Sequence, residues 1–150
     1  MAKKIITYNI CTVSNGSSAL KDLIVSRLEE FSRKHASMLF PHRHTFYQVL
    51  YITEGGGSHI IDFEKFEVKP GMVFLLSPGQ VHKWLFSEGT RGILINFSES
   101  FFSSFLANRY YVNEFIFFSG NPFYSFADLS GNNLTNTTVQ ELDEAHSCRI

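Results

Sequence analysis

The feature that most constrains the fold is a series of short apolar segments, separated by turn signals, between residues 40 and 97. In the first segment alternate positions form one face of an extended strand, namely His42, His44, Phe46, Gln48, Leu50 and Ile52. Turn signals follow at Gly55-Gly56-Gly57, Pro70-Gly71, Pro78-Gly79 and Glu88-Gly89. Such signals at intervals of about 8–12 residues are typical of β-sandwiches and barrels. The pattern therefore predicts a mainly β fold built from consecutive strands.

The turn signals also set the strand limits. After the strand from residue 40 to 52 we predict strands at 58–63, 66–68, 72–76, 81–86 and 92–97, with a short connection at Glu64-Lys65. Pro70-Gly71 has the composition of a type II turn. Residues 1–37 are ambiguous between helix and strand: the positions with helical spacing are Leu20, Leu23, Ile24, Leu28 and Phe31, while residues 23–28 also fit a short buried strand.

Helical signals replace strand signals after residue 97. Ser98 is suited to be the N-cap of a short helix that contains Phe101, Phe102, Phe105 and Leu106. A second helix is predicted at 113–118 and a further strand at 123–129. Thr138 and Glu141 form a capping box, and the helix that follows has one face marked by Val139, Leu142 and His146. Because this helix is still in progress at Ile150, we expect the 150 residues to be the N-terminal part of a longer polypeptide.

Composition predicts a single domain and excludes some functions. Hydrophobic residues make up 44% of the chain and aromatic residues 15%, which is enough for one substantial core. A net charge of −1 lacks the basic excess of a DNA-binding domain, so this segment is not expected to bind DNA directly. Cys11 and Cys148 are too few and too far apart for a disulfide framework, which favours a cytoplasmic location. No apolar run approaches the roughly 18 residues of a membrane-spanning helix.

Histidines mark the candidate site. His42, His44 and Gln48 share one strand face, and His82 begins a later strand after the Pro78-Gly79 loop. If the strands close into a barrel, three imidazoles and an amide oxygen could meet, which is a known ligand set for Fe, Mn, Ni, Cu or Zn. The interpretation we favour is that these histidines hydrogen-bond to the backbone or to an organic ligand. His59 is a weaker candidate for a fourth inward imidazole.

Aromatic side chains accompany these histidines. Trp84 and Phe86 alternate with Leu85 after His82, so they share its strand face and are suited to wall a ligand pocket, although plain core packing is equally compatible. Phe46 lies on the face of the first two histidines. Ser77 and both cysteines lack a neighbouring base in the sequence, so no catalytic nucleophile is predicted.

These residues resemble two motifs of the cupin superfamily, whose fold is a small double-stranded β-helix. The first is His42-x-His44-x-x-x-Gln48, and the second runs from Gly71 through Ser77-Pro78-Gly79-Gln80-Val81-His82. The resemblance implies a jelly-roll barrel followed by short α-helices, with the histidine pair facing inward. It also exposes two departures: metal-dependent cupins usually carry Glu where this chain has Gln48, and commonly Asn where it has Phe86. Both departures weaken a metal site, so no cofactor is expected.

One branch of that superfamily is matched more closely. The segments around Pro41–His44, Tyr51–Gly55, Ile61–Phe63, Lys69–Gly71, Ser77–His82 and Ile93–Phe102 resemble the effector-sensing domain of AraC/XylS-type bacterial transcription regulators. The resemblance spans about residues 22–118 and the final helix. It implies a non-enzymatic domain that binds a small-molecule effector, such as a sugar, and forms a homodimer. DNA would be bound by a helix-turn-helix half that this chain lacks.

From this resemblance we assign four segments and two sets of residues. The segments are an arm with the first strands (1–37), the barrel core (38–97), short helices with a connecting strand (98–136) and the start of a dimerisation or linker helix (137–150). The predicted ligand-binding residues are His42, His44, Phe46, Gln48, His82 and Trp84, and the predicted dimerisation residues are Val139, Leu142 and His146. The alternative is a stand-alone metal-dependent cupin enzyme, a dioxygenase or isomerase, using His42, His44, Gln48 and His82.

Overall fold

The structure is a computed structural model that describes residues 4–14, 22–105 and 118–131. The strands are β1 (Ile6–Tyr8), β2 (Leu23–Arg27), β3 (His42–His44), β4 (Tyr47–Glu54), β5 (Gly57–Ile61), β6 (Glu64–Val68), β7 (Met72–Leu76), β8 (His82–Phe86), β9 (Arg91–Phe97) and β10 (Phe126–Asp128). The α-helices are α1 (Ile10–Val13), α2 (Leu28–Lys34) and α3 (Glu99–Phe105), and short 3₁₀ helices occupy Ala36–Leu39 and Pro122–Tyr124.

The strands form two five-stranded sheets that enclose one core. The first sheet has the order β1-β3-β8-β5-β6 and the second the order β10-β7-β4-β9-β2. Neighbouring strands are antiparallel except β1 and β3, which are parallel. Side chains from both sheets meet in a single buried cluster that includes Leu50, Ile61, Phe74 and Leu94. The prediction of a mainly β jelly-roll barrel followed by short helices is confirmed.

The first predicted strand, at 40–52, is wrong in one respect. It is broken at Thr45-Phe46, and its two parts, β3 and β4, lie in different sheets. The inward face is nevertheless as predicted, since all six alternate residues from His42 to Ile52 are buried. Because the chain changes sheet at this corner, it can contribute inward side chains to both walls of the barrel.

Two smaller boundary predictions also need correction. The turn between β5 and β6 is at Asp62-Phe63, and Glu64-Lys65, predicted as the connection, belong to β6. The strand predicted at 123–129 is shortened to β10, because Asn121 caps a 3₁₀ helix at Pro122–Tyr124. Gly71 has φ +89, which fits the predicted type II turn, and Met72 N donates to Lys69 O across it.

The ambiguity in residues 1–37 arises because this segment contains both structures. Residues Leu23–Arg27 pair with β9, and the chain then enters α2 directly at Leu28. The predicted N-cap of α3 is confirmed, since Ser98 Oγ accepts a hydrogen bond from Phe101 N at 3.1 Å. The helix predicted at 113–118 falls almost entirely outside the described residues, and the helix with Val139, Leu142 and His146 does so completely. Within the described part of the chain no helix has the length and apolarity needed to cross a membrane.

Candidate functional site

Four buried histidines meet on the inner face of the first sheet, and we call them the histidine cluster: His42 and His44 on β3, His59 on β5 and His82 on β8. Strand register brings them together, because His42 pairs with His82 and Ile61, two residues after His59, also pairs with His82. Ring centroids of His82 lie 4.3 Å from His42, 5.0 Å from His44 and 5.2 Å from His59. The structure therefore brings the three predicted histidines together, and His59 lies beside them.

Hydrogen bonds fix the orientation of each ring. His42 Nδ1 lies 2.9 Å from Phe40 O, and His44 Nδ1 lies 2.7 Å from Phe46 O. A carbonyl oxygen only accepts hydrogen bonds, so both Nδ1 atoms carry the proton and donate it. His59 Nε2 and His82 Nδ1 are 3.0 Å apart and share a hydrogen bond.

Aromatic side chains surround the histidine cluster. Phe46 stacks on His44 with centroids 4.4 Å apart, and Trp84 is in edge contact with His82 at 5.9 Å. Tyr8 on β1 lies edge-on to His42 at 5.5 Å, and Phe31 on α2 approaches Trp84 at 6.3 Å. The predicted partners Phe46 and Trp84 are thus beside the histidines. Tyr8 and Phe31 were not identified from the sequence, because they come from elements whose position over the barrel is set by tertiary packing.

Gln48 faces inward, and its side-chain amide bonds to a neighbouring strand of the second sheet. Its Nε2 donates to Asn96 Oδ1 on the neighbouring strand β9 at 3.0 Å, and its Oε1 has no hydrogen-bond partner. Gln48 is buried on the inner face of the second sheet. Asn96 was missed in the sequence, although a polar residue at an inward position of an apolar strand is the signal that could have identified it.

Burial keeps the histidine cluster uncharged. Removal from water is the main reason why the pKa of His44 and of His59 is lowered to about 3, and neighbouring imidazoles contribute to this lowering. The hydrogen bond to Phe46 O acts in the opposite direction on His44 but is the smaller effect. Desolvation also lowers the pKa of His82, well below its usual range, and that of His42. At neutral pH these rings are therefore neutral, with one proton each.

Several nitrogen atoms in this interior have no hydrogen-bond partner. They are His44 Nε2, His59 Nδ1, His82 Nε2 and Trp84 Nε1. Since buried polar atoms in proteins are nearly always paired, a group of unpaired ones indicates a place for another polar molecule. A separate surface depression of about 480 Å³ includes Glu99, Ser100, Ser103 and Ser104 of α3 among its lining residues, and none of the predicted ligand-binding residues.

The site does not fit the metal interpretation. Among the described residues no three His, Cys, Asp or Glu side chains are arranged to hold a metal ion. The fourth ligand of the predicted set, Gln48, has its amide bonded to Asn96. A neutral amide is in addition a weaker ligand for a divalent ion than a carboxylate.

The family model for the AraC-like ligand binding domain matches residues 30–145, which is most of the chain. The chain therefore belongs to the family of AraC-like ligand binding domains. The family assignment made from the motifs is confirmed. No significant match was found among curated proteins.

Two solved structures resemble the fold at low scores. One is the acireductone dioxygenase from Bacillus anthracis, solved with a cadmium ion in its active centre, with 16% identity and a TM-score of 0.38 over 51% of this chain and 49% of that chain. The other is a cupin protein from Bacteroides fragilis, with 20% identity and a TM-score of 0.33 over 56% of this chain and 83% of that chain. The match spans about half the length of the dioxygenase, and neither likeness carries an argument about function.

Proposed function

We propose that the chain is the effector-sensing domain of an AraC-type transcription regulator in the cytoplasm. It binds a small molecule inside the barrel and catalyses no reaction. The observation that carries this proposal is the set of unpaired, buried ring nitrogens in a chain that belongs to the AraC-like ligand binding domains. The residues proposed to contact the effector are His42, His44, Phe46, Gln48, His82 and Trp84, to which the structure adds His59.

The proposed mechanism is a shift between two arrangements of the regulator. An effector that binds one arrangement more tightly raises its population, and this changes how a DNA-binding half is presented. β1 supports such a coupling, because it is paired with β3 and puts Tyr8 against His42. Contact between the effector and β3 would therefore be transmitted to the N-terminal strand.

A catalytic role is not favoured. Among the described residues, no Asp or Glu is buried in the barrel with the histidines. The cluster therefore has no carboxylate to hold a metal ion or to act as a general base beside the imidazoles. The enzyme alternative would be supported by chemical conversion of a bound compound, which NMR of the recovered ligand detects.

A thermal-shift screen of small metabolites tests the proposal. A compound present at a hundred times its Kd stabilises the folded domain by about 2.7 kcal/mol, which is readily measured. His82→Phe removes a polar inner-face group and should abolish the shift, whereas Lys83→Gln changes the next residue, whose side chain lies on the other face of β8, and should retain it. If Lys83→Gln abolishes the shift and His82→Phe does not, the barrel interior is not the binding site.

A further inference from the structure

We propose that the barrel takes an uncharged ligand that both donates and accepts hydrogen bonds, such as one bearing hydroxyl or carboxamide groups. This inference rests on the proposed function, because it assumes that the histidine cluster is where the effector binds. It goes further by assigning the chemical class of the ligand from the atoms that the interior leaves unpaired.

None of the buried residues in the described part of the chain is an Asp, Glu, Lys or Arg that could balance an ionised ligand. The partly buried Glu29 and Arg43 each have one buried atom without a partner. The buried polar residues in the described part of the chain are His42, His44, Gln48, His59, Ser77, Gln80, His82, Thr90, Asn96 and Ser125. The histidines among them are kept neutral by burial. Burying a carboxylate, phosphate or ammonium group without a counter-charge costs several kcal/mol, so charged compounds are disfavoured.

His44 supplies a hydrogen-bond acceptor. Its Nδ1 carries the ring's single proton and donates it to Phe46 O. Its Nε2 therefore has a free lone pair, and this atom is buried without a partner. A ligand that binds to Nε2 must therefore present an N–H or O–H group to it.

The His59–His82 pair supplies one donor and one acceptor, whichever tautomer is present. Two neutral rings hold two protons, and one of these lies in the bond between His59 Nε2 and His82 Nδ1. The ring that accepts this bond carries its own proton on its outer nitrogen, and the ring that donates has a bare outer nitrogen. Both outer atoms, His59 Nδ1 and His82 Nε2, are unpaired. The count is therefore independent of how the tautomers are assigned.

Unpaired atoms of three further buried side chains, Trp84, Gln48 and Asn96, extend the same balance. Trp84 Nε1–H is always a donor, and it is buried without a partner. On the opposite sheet the amides of Gln48 and Asn96 share one hydrogen bond, which leaves Gln48 Oε1 as an acceptor and Asn96 Nδ2 as a donor. Turning both amides over exchanges these roles but still leaves one of each.

A ligand group that only donates, or only accepts, leaves part of this set unpaired. Each unpaired buried group costs about 1–3 kcal/mol, so a mixed donor and acceptor is preferred by a factor of roughly ten or more. Hydroxyl and carboxamide groups have both functions without a charge. Purely apolar compounds would leave the whole set unsatisfied.

Four small probes with the same planar skeleton separate these properties. Acetamide is neutral with donors and an acceptor, acetone is neutral and accepts only, acetate is an anion, and acetamidinium is a cation. Binding is followed by NMR of the side-chain N–H of Trp84, which is the only tryptophan of the chain, and of the histidine ring nitrogens. We expect acetamide to bind with a Kd at least tenfold lower than the other three. Equal or tighter binding of acetate or acetamidinium, or no saturable binding of acetamide, would overturn the inference.

A matched pair of variants locates the effect. His44→Phe keeps an aromatic ring beside Phe46 but removes the acceptor, so the preference for acetamide over acetone should fall severalfold. His35→Phe changes a histidine that contacts Phe31 outside the histidine cluster, with the two rings tilted by 38°, and the preference should be unchanged. If His44→Phe fails to fold, the comparison of the four probes on the unmodified chain decides the matter alone.

A charged effector found by the thermal-shift screen would contradict this inference and leave the proposed function intact, whereas a screen without any ligand would contradict the proposed function itself.

Discussion

Phe63 has an unusual conformation for a large aromatic residue. It follows Asp62 in the turn between β5 and β6, and both residues have positive φ, 73° for Phe63 and 48° for Asp62. The Phe63 side chain is 85% exposed, so burial does not compensate for the backbone strain. Two-residue hairpin turns with this geometry normally have glycine at the second position.

Replacing Phe63 tests whether this strain is real. Phe63→Gly should give a domain about 1 kcal/mol more stable than Phe63→Ala, because only glycine adopts positive φ without a steric penalty. Both variants lack the exposed ring, so their comparison isolates the backbone. Urea denaturation measures the difference. Equal stability of the two variants would show that residue 63 is unstrained.

Whether the domain binds a transition metal also depends on single residues. We expect protein purified without a histidine tag to contain no stoichiometric Fe, Mn, Ni, Cu or Zn, because Gln48 is neutral and bonded to Asn96. Elemental analysis measures this directly. Gln48→Glu adds the missing carboxylate and is the variant in which uptake of metal would be expected to increase. One equivalent of metal in the unmodified protein, lost on His82→Phe, would contradict the prediction.

Individual positions show where sequence reasoning succeeded. The inward face from His42 to Ile52 follows from simple alternation, and His59, which was only a weaker candidate in the sequence, is also inward in the structure. The partner of Gln48 could not be predicted, because it depends on the register of β4 against β9, which joins residues distant in the chain. The tautomers of His42 and His44 likewise depend on which carbonyl oxygens the folded backbone presents.

At the scale of elements, the side chain of Gln80 bonds the loop before β8 to two other segments. Gln80 Oε1 accepts from Ser77 N at 2.8 Å, and its Nε2 lies within 3.3 Å of Asp62 Oδ2, Gly120 O and Ser125 Oγ. Gln80 therefore connects the loop at 77–80, the β5–β6 turn and the segment before β10. The sequence marked this residue only as part of a turn and of the family motif.

Gln80→Ala should destabilise the domain by roughly 2–3 kcal/mol, since it leaves several buried groups without partners. Gln80→Glu should be at least as damaging, because it loses the donor and brings a second carboxylate towards Asp62. Chemical denaturation gives both values. Hydrogen exchange at Leu75 N, which donates to Ser125 O, reports whether the segment before β10 is released. Protection of this amide equal to that in the unmodified protein would argue against the connecting role.

Elements also show why boundary predictions failed. No glycine or proline marks the corner at Thr45-Phe46, so a continuous strand was the natural prediction, and only packing of two sheets reveals the break. Aspartate, as at position 62, is common in turns, but the phenylalanine that follows it is a residue type that rarely adopts a positive φ. In both places tertiary packing gives the backbone a conformation that the local sequence does not favour.

At the scale of the whole molecule, strand alternation and turn spacing predicted the mainly β class, and the resemblance to the cupin motifs implied the jelly-roll barrel. Its stability should depend strongly on pH. Unfolded histidines take up protons near pH 6.5, whereas His44 and His59 in the folded domain have pKa values of about 3. The unfolded state therefore binds more protons between these values, so the free energy of unfolding falls as the pH is lowered from about 6.5 towards 3.

Each such histidine changes the unfolding equilibrium constant by up to about tenfold per pH unit in this window. Urea titrations at pH 7.5, 6 and 5 should show a steep loss of stability below pH 6.5. His59→Phe removes one of these protons and should reduce the slope, while His35→Phe should reduce it less because His35 is only partly buried. The same slope in His59→Phe and in the unmodified protein would contradict this explanation.

Self-association is the remaining prediction for the molecule as a whole. We propose that Val139, Leu142 and His146 form a dimer contact, which is an expectation from the helical pattern of a segment outside the described residues. Leu142→Asp should then give a folded monomer in sedimentation experiments, and Gln140→Asp, off the predicted stripe, should remain dimeric. Loss of thermal stability without a change in mass would instead mean that this face packs on the protein's own barrel.

The three-residue strand β1 determines what happens when the N-terminal residues are removed. Among the strands that the structure describes it is the only one with a parallel neighbour, and it covers the backbone edge of β3, where Thr45 N also donates to Tyr8 O. Cutting the chain after residue 9 would leave that edge of β3 without its partner strand, next to the histidine cluster. An unpaired strand edge can form hydrogen bonds with a strand from another molecule. N-terminal trimming is therefore expected to yield strand-exchanged oligomers or aggregates.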